Sequence, residues 1–283
     1  MANKIKLVFN ELFIGMILLV VVPTALLGVV ASGDIIIASV LAGGILITLL
    51  QIAPNVLNNY ADWEIDEKNR KRADMHKVIK RGALPVMALV LLVLTIPFFV
   101  YGNLYLKITM VIAYFLILNY NFLIKAKDIL FLNYAFIALG YGPVAFAIGF
   151  FVSSANLATF EQFLWVPAFI FLVNMGFVII KDYGDIEGDK ALGKITLPIA
   201  VGKRLAIFYQ AILITAVFAV MIYLGLTSIR WPLSVLLVVP YLIAAYAIKM
   251  ISAPKNRNAY STASNLIRLN ALIVMLILFS YFA

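Results

Sequence analysis

Apolar runs long enough to cross a bilayer recur along almost the whole of this 283-residue chain, and they leave little freedom in how it can fold. Crossing the hydrocarbon core of a membrane takes about 17 to 25 predominantly apolar residues in helical form. Nine such runs can be read, at roughly 11–31, 35–60, 84–101, 104–122, 129–150, 163–181, 205–226, 231–250 and 264–282. The connections between them are mostly too short to hold a separate domain. The expected fold is therefore all-α: a polytopic membrane protein with nine transmembrane helices around a central cavity, forming a single domain over 1–283. Composition agrees, since 65% apolar residues, 12% charged residues and a mean hydropathy of +1.06 lie outside the range of soluble domains.

Charge sets the orientation. With the amino terminus inside, the inner segments hold 20 of the 22 Lys and Arg, and only Lys107 and Arg230 fall outside. Basic residues are retained on the cytoplasmic side during insertion, so the net charge of +9 is explained by topology, without nucleic acid as a partner. The first apolar run lacks the leader pattern of a signal peptide and is expected to be a resident helix. There is no cysteine, which excludes disulfides, thiolate metal sites and a cysteine nucleophile. His76 is the only histidine; it is expected on a surface loop, and a zinc site is not expected.

Against this apolar background, nine of the thirteen acidic residues fall in two short segments, Asp62 to Asp74 and Asp182 to Asp189, closing the second and sixth runs. Each is followed by a basic polar stretch, a repetition consistent with internal duplication of a helix-bundle unit. Both clusters have a four-residue beat, and residues four apart share a helix face. Asn58, Asp62 and Asp66 form one stripe, and Lys181, Asp185 and Asp189 the other. Stacked carboxylates repel unless a cation lies between them. Oxygen-only sites of this kind suit Mg²⁺, typically held by one or two carboxylates and a substrate's phosphate oxygens. Two such stripes facing each other would hold a Mg²⁺-pyrophosphate group, with both clusters open to the cytoplasm.

These residues resemble a known pattern. Asn58-x-x-x-Asp62-x-x-x-Asp66 is similar to the first aspartate-rich motif of the UbiA superfamily of intramembrane prenyltransferases, and Asp182-x-x-Asp185-x-x-x-Asp189 to the second. The stretch from Lys181 to Gly202 matches the family's K-D-x-x-D-x-x-G-D-x-x-x-G-x-x-T-L-P-x-x-x-G almost position for position. Pro23 and Gly28 resemble positions of the family's first helix, and Tyr120 with Lys125 those ending its fourth. One departure stands out: the family's Arg-Pro-x-x-Ser-Gly after the first motif is here Lys77-Val78-Ile79-Lys80-Arg81-Gly82.

The resemblance implies Mg²⁺-dependent transfer of an isoprenyl group from a prenyl diphosphate to an acceptor, often aromatic, with release of diphosphate. By that resemblance Asn58, Asp62 and Asp66 hold one metal ion, and Asp182, Asp185 and Asp189 a second, the two bridged by diphosphate. Lys77, Lys125 and Lys181 are the expected phosphate contacts, with Arg70 in reserve, and Tyr120 sits near the scissile bond with Lys125. Apolar walls open to membrane lipid would hold the prenyl tail. Relatives act on quinone precursors, tetrapyrroles or archaeal prenylglycerol phosphates, and the second motif leans towards the homogentisate, chlorophyll and archaeal-lipid branches, digeranylgeranylglyceryl phosphate synthase among them.

Other residues have plainer readings. Glu64, Glu67, Asp74 and Glu187 lie off the beat and read as loop charge; Phe146, Phe150 and Phe151 read as packing or lipid contact. Asn119, Asn121 and Asn133 lie near span ends, where interhelical hydrogen bonding explains them as well as catalysis would. A transporter using the acidic clusters as a cation path is the rival from another class, but transport sites usually lie near the midplane on broken helices, not at helix ends. A CDP-alcohol phosphotransferase would need an Asp-Gly-x-x-Ala-Arg start that is absent. Neither rival accounts for the second motif and its Thr196-Leu197-Pro198 tail.

Overall fold

The computed structural model describes residues 17–33, 35–68, 73–154, 156–184, 186–191, 193–226, 235–254 and 258–282. Among these residues there are helices and no strands. A single π-helical turn, Ile17–Val21, leads into α1 (Val22–Ala31). Then come α2 (Ile37–Ala61), α3 (Trp63–Lys68), α4 (Ala73–Val78), α5 (Ala83–Val93), α6 (Ile96–Tyr101) and α7 (Leu104–Asn121). The second half of the chain holds α8 (Leu132–Leu139), α9 (Ala145–Ser153), α10 (Leu157–Gln162), α11 (Trp165–Val178), α12 (Ile180–Tyr183) and α13 (Ile186–Ala191). It closes with α14 (Leu197–Ala200), α15 (Lys203–Leu226), α16 (Val238–Ser252) and α17 (Asn258–Phe282).

Seven described helices are long and apolar enough to cross a membrane: Ile37–Ala61, Ala83–Tyr101, Leu104–Asn121, Leu132–Ser153, Trp165–Tyr183, Lys203–Leu226 and Ala259–Phe282. The first and eighth expected spans correspond to two shorter apolar helices, Leu18–Ala31 and Val238–Ser252. Residues 1–16 and 227–234, which adjoin these two, lie outside the described residues. The last helix starts at Asn258, earlier than the apolar run suggests, because Ser261, Thr262, Asn265 and Arg268 make its first three turns polar. Prolines mark the irregular points. Pro23 and Pro97 stand in the first turns of α1 and α6, where a missing N–H costs nothing. Pro143 lies in the π-turn Gly140–Val144, which joins α8 to α9.

The chain forms two compact units, 1–126 with 144–158, and 127–143 with 159–283. In the first, α1 and α9 cross at backbone contact. A Cβ added to Gly28 would lie 2.7 Å from the Phe150 nitrogen, and one on Gly149 would run into the Ala25 carbonyl. Without a hydrophobic drive between helices in lipid, small residues that admit such close approach are what hold spans together. Phe146 and Phe150 are fully buried and Phe151 nearly so, as packing groups. Asn103 caps α7 by accepting from the Leu106 N–H (2.9 Å), while its Nδ2 donates to the Phe151 carbonyl (2.6 Å). Val56, Leu84 and Ala88 form a buried apolar cluster between α2 and α5.

In the second unit α11 and α15 approach through Gly176, where an added Cβ would meet Ile214 Cγ1 at 2.7 Å. One turn away, Gln210 Nε2 donates to the Gly176 carbonyl (2.7 Å). Buried alanines, Ala244 and Ala247 on α16 and Ala259, Ala263 and Ala271 on α17, give that hairpin the same close fit. Trp165 at the start of α11 packs edge-on against Tyr281 near the end of α17 (5.3 Å between centroids).

Candidate functional site

The first acidic motif is carried by the junction of α2 and α3. Asp62 ends α2 with φ −92° and ψ 4°, yet the hydrogen-bond ladder continues through it. Its N–H donates to the Asn58 carbonyl (2.9 Å), and the Asp66 N–H donates to the Asp62 carbonyl (2.8 Å). Asn58, Asp62 and Asp66 are thus stacked one helical turn apart, as the spacing predicts. Asp62 is 9% exposed and Asp66 5%, while Asn58 is half-buried. Two carboxylates buried a turn apart favour a cation beside them.

The basic segment after this motif folds back onto it. The ring of His76, on α4, stacks on Trp63 of α3 with centroids 3.7 Å apart. The histidine expected on an open loop is therefore a half-buried packing group. Its aromatic partner lies next to Asp62 in sequence, which neither apolar periodicity nor charge spacing signals. Arg81 Nη1 pairs with Glu64 Oε1 at 2.8 Å, and its guanidinium lies over the Tyr60 ring. Lys77 is exposed on α4. Arg70 lies outside the described residues.

Tyr120 is half-buried in the last turn of α7, and Lys125 is exposed in the turn beyond it. Lys125 has φ 52°, a left-handed conformation that few non-glycine residues adopt. Between them Asn121 departs from its expected role. It is 3% exposed, and neither atom of its carboxamide has a partner among the described residues. Asn119 donates to the Phe115 carbonyl of its own helix (2.8 Å) and so does not bridge helices through that bond.

The second motif is carried by α12, which ends at Tyr183, and by α13, described from Ile186. Asp185 lies outside the described residues. Lys181 is exposed on α12, whereas Asp182 beside it is only 4% exposed. Asp189 on α13 is half-buried, 3.7 Å from Lys194 Nζ, and its carbonyl accepts from the Lys194 N–H (2.9 Å).

A residue that spacing did not flag meets Asp182. Tyr134, on α8 and 1% exposed, donates its hydroxyl proton to Asp182 Oδ2 (2.5 Å) and accepts from the Leu197 N–H (2.9 Å). The hydroxyls of Tyr183 and Thr196, each next in sequence to one end of this bridge, are buried and have no partner among the described residues. Tyr134 lies 48 residues from Asp182, so only the fold brings the two together.

The donor set fits a hard divalent cation. Asp62, Asp66 and Asp182 present buried carboxylate oxygens, the ligand type Mg²⁺ favours. Among the described residues no three His, Asp or Glu side chains converge. Each motif by itself therefore offers one or two described carboxylates to a metal that keeps other ligands from substrate and water, the usual coordination of Mg²⁺.

The architecture is that of a polytopic helical membrane protein carrying one carboxylate motif in each of two helix bundles. The chain belongs to the UbiA prenyltransferase family, which matches it over residues 20–279. Among individual proteins, it is 36% identical to digeranylgeranylglyceryl phosphate synthase of Pyrococcus furiosus over 160 residues, 56% of this chain and 55% of that protein. The corresponding synthase of Methanothermobacter thermautotrophicus is 29% identical over 237 residues, 81% of this chain and 80% of that one. The matched stretch thus spans little more than half the length of the Pyrococcus relative. In fold, the chain resembles a UbiA homologue from Archaeoglobus fulgidus bound to GPP and Mg²⁺, with TM-score 0.69 and 17% identity, covering 94% of this chain and 98% of that one.

Proposed function

We propose that the protein is a Mg²⁺-dependent intramembrane prenyltransferase, moving an isoprenyl group from a prenyl diphosphate to an acceptor and releasing diphosphate. The observation that carries this reading is the burial of motif carboxylates, Asp62 and Asp66 in one unit and Asp182 in the other, in a chain of this family. Nine-tenths-buried carboxylates at membrane helix ends are costly unless they are hydrogen-bonded, paired or bound to a cation, and a cation shared by Asp62 and Asp66 would offset their mutual repulsion. The Archaeoglobus homologue of the same fold is bound to Mg²⁺ and a prenyl diphosphate, which supports the same ligands here.

In the reaction the carbon–oxygen bond of the allylic diphosphate breaks and its electron pair leaves with diphosphate. The acceptor supplies the electron pair of the new bond and gives up a proton. Bound Mg²⁺ supplies Lewis-acid stabilisation of the leaving group. Asn58, Asp62 and Asp66 hold one ion and Asp182, Asp185 and Asp189 another. Lys77, Lys125, Lys181 and Arg70 neutralise charge developing on the phosphates, a preorganised electrostatic role. The face of Tyr120 stabilises positive charge on the allylic carbon. Both motifs open to the cytoplasm, in the orientation given by the basic residues.

The synthases of Pyrococcus and Methanothermobacter favour a prenylated glycerol phosphate as acceptor. Purified protein with Mg²⁺, radiolabelled geranylgeranyl diphosphate and a panel of prenylglycerol phosphate, quinone-precursor and tetrapyrrole acceptors tests both points. Product mass should identify a doubly prenylated glycerol phosphate. No Mg²⁺-dependent product from any acceptor would refute the reading, whereas an aromatic product would refute the acceptor alone.

A further inference from the structure

Asp182 lies on α12, a helix of only four residues (Ile180–Tyr183), and is 4% exposed. A side chain from another helix meets it. Tyr134 reaches from α8 to the start of the motif and to the tail that follows it: its hydroxyl donates to Asp182 Oδ2 at 2.5 Å and accepts from the Leu197 N–H at 2.9 Å. Leu197 opens α14, and the residue before it, Thr196, is extended (φ −96°, ψ 163°) with no side-chain cap. The first N–H groups of a helix have no partner within it. The tyrosine oxygen therefore satisfies the Leu197 N–H at the same time as it holds the aspartate.

The direction of this chain follows from its chemistry. An amide N–H only donates, so the tyrosine oxygen must accept there, and its single proton is committed to the aspartate. Asp182 thus meets Tyr134 as an acceptor through Oδ2. One oxygen is fixed by the phenol, which orients the plane of the carboxylate. Bonds linked in series polarise one another in a water-poor interior, and Tyr134 and Asp182 are 1% and 4% exposed.

We propose that Tyr134 is a positioning residue for metal capture, holding Asp182 to the Thr196-Leu197-Pro198 turn so that the second motif keeps its ligand geometry before the ion arrives. This rests on the prenyl-transfer reading for the identity of the metal and the substrate. Residues that hydrogen-bond metal ligands commonly change metal affinity by 10- to 100-fold when they are removed. The aromatic ring remains in Tyr134→Phe, so packing on α8 is kept and only the hydroxyl is lost.

The test uses the full-length protein in detergent, with Mn²⁺ as a paramagnetic probe and inorganic pyrophosphate present, and measures bound metal by electron paramagnetic resonance. Tyr134→Phe should weaken Mn²⁺ affinity by about 10- to 100-fold. In turnover assays its Mg²⁺ half-saturation should rise while kcat at saturating Mg²⁺ stays near the parent value. A purely structural role would lower the melting temperature without moving metal half-saturation. Equal Mn²⁺ affinity in parent and variant would overturn the inference. If Tyr134→Phe does not fold, Leu197→Pro carries the test. It deletes the N–H at a helix position that tolerates proline and should shift Mn²⁺ affinity in the same direction, and an unchanged affinity would overturn the proposal equally. Absence of Mn²⁺ binding by the unsubstituted protein would instead refute the prenyl-transfer reading itself.

Discussion

Replacing Gly28 with alanine tests whether the close crossing of α1 and α9 holds the first unit together. The added Cβ would stand 2.7 Å from the Phe150 nitrogen and 3.0 Å from the Phe146 carbonyl carbon, and closer still to the Phe146 oxygen. All three are backbone atoms, so no side chain can swing aside and the helices must part. A radial gap of 0.5–1 Å forfeits about a quarter to a half of each dispersion well along the seam. Overpacking in a well-filled interior costs about 1–3 kcal/mol, and a backbone clash places this variant at the upper end. Alanine returns at most about 1 kcal/mol through its better helix propensity. The net loss should be about 2 kcal/mol, roughly a thirtyfold fall in the folded-to-unfolded ratio. Gly44→Ala is the control, because nothing lies within 4 Å of its Cβ position; it should be neutral or slightly stabilising. Thermal unfolding in detergent, followed by intrinsic fluorescence, compares the three proteins. Gly28→Ala melting at or above the parent would refute the reasoning.

Other outcomes follow from the same structure. Asp62→Ala should abolish Mg²⁺-dependent diphosphate release while the protein stays folded, and retained turnover would remove Asp62 from the metal-holding set. Chelation with EDTA should stop turnover, with recovery on adding Mg²⁺ or Mn²⁺; activity that survives chelation would contradict a divalent requirement. Asn103→Ala removes an N-cap, worth about 1 kcal/mol, and a bond to the Phe151 carbonyl, of the class that averages about 0.6 kcal/mol in membranes. A loss of about 1–2 kcal/mol in reversible unfolding should result, with turnover at saturating substrate unchanged.

The membrane-spanning plan was legible because lipid leaves so few ways to hide a backbone, and nearly all of the apolar runs coincide with helices to within a few residues. The ends were less legible where polar residues extend a helix. Ser261, Thr262, Asn265 and Arg268 disguised the first turns of α17. The first acidic motif was readable because a single hydrogen-bond ladder carries it, from Asn58 through Asp62 to Asp66. The second was readable as composition but not as geometry. Of the stripe that its regular beat suggests, Asp185 lies outside the described residues, and what spacing did not signal is the burial of Asp182. His76, Asn121 and Tyr134 were misread or missed because their roles depend on partners, or on a lack of them, that local spacing does not encode.

The two motifs therefore solve one electrostatic problem by different local means. In the first, helix continuity fixes the spacing of Asn58, Asp62 and Asp66, and the returning segment adds a ring stack, Trp63 on His76, against the helix carrying Asp66. In the second, Asp182 accepts from a hydroxyl on a separate helix that in turn accepts from a backbone N–H. Leu197 opens α14, and its first-turn N–H has no partner within that helix, so one tyrosine oxygen serves both that N–H and Asp182. Without the Tyr134 hydroxyl, the buried N–H and Asp182 Oδ2 would each lose this bond.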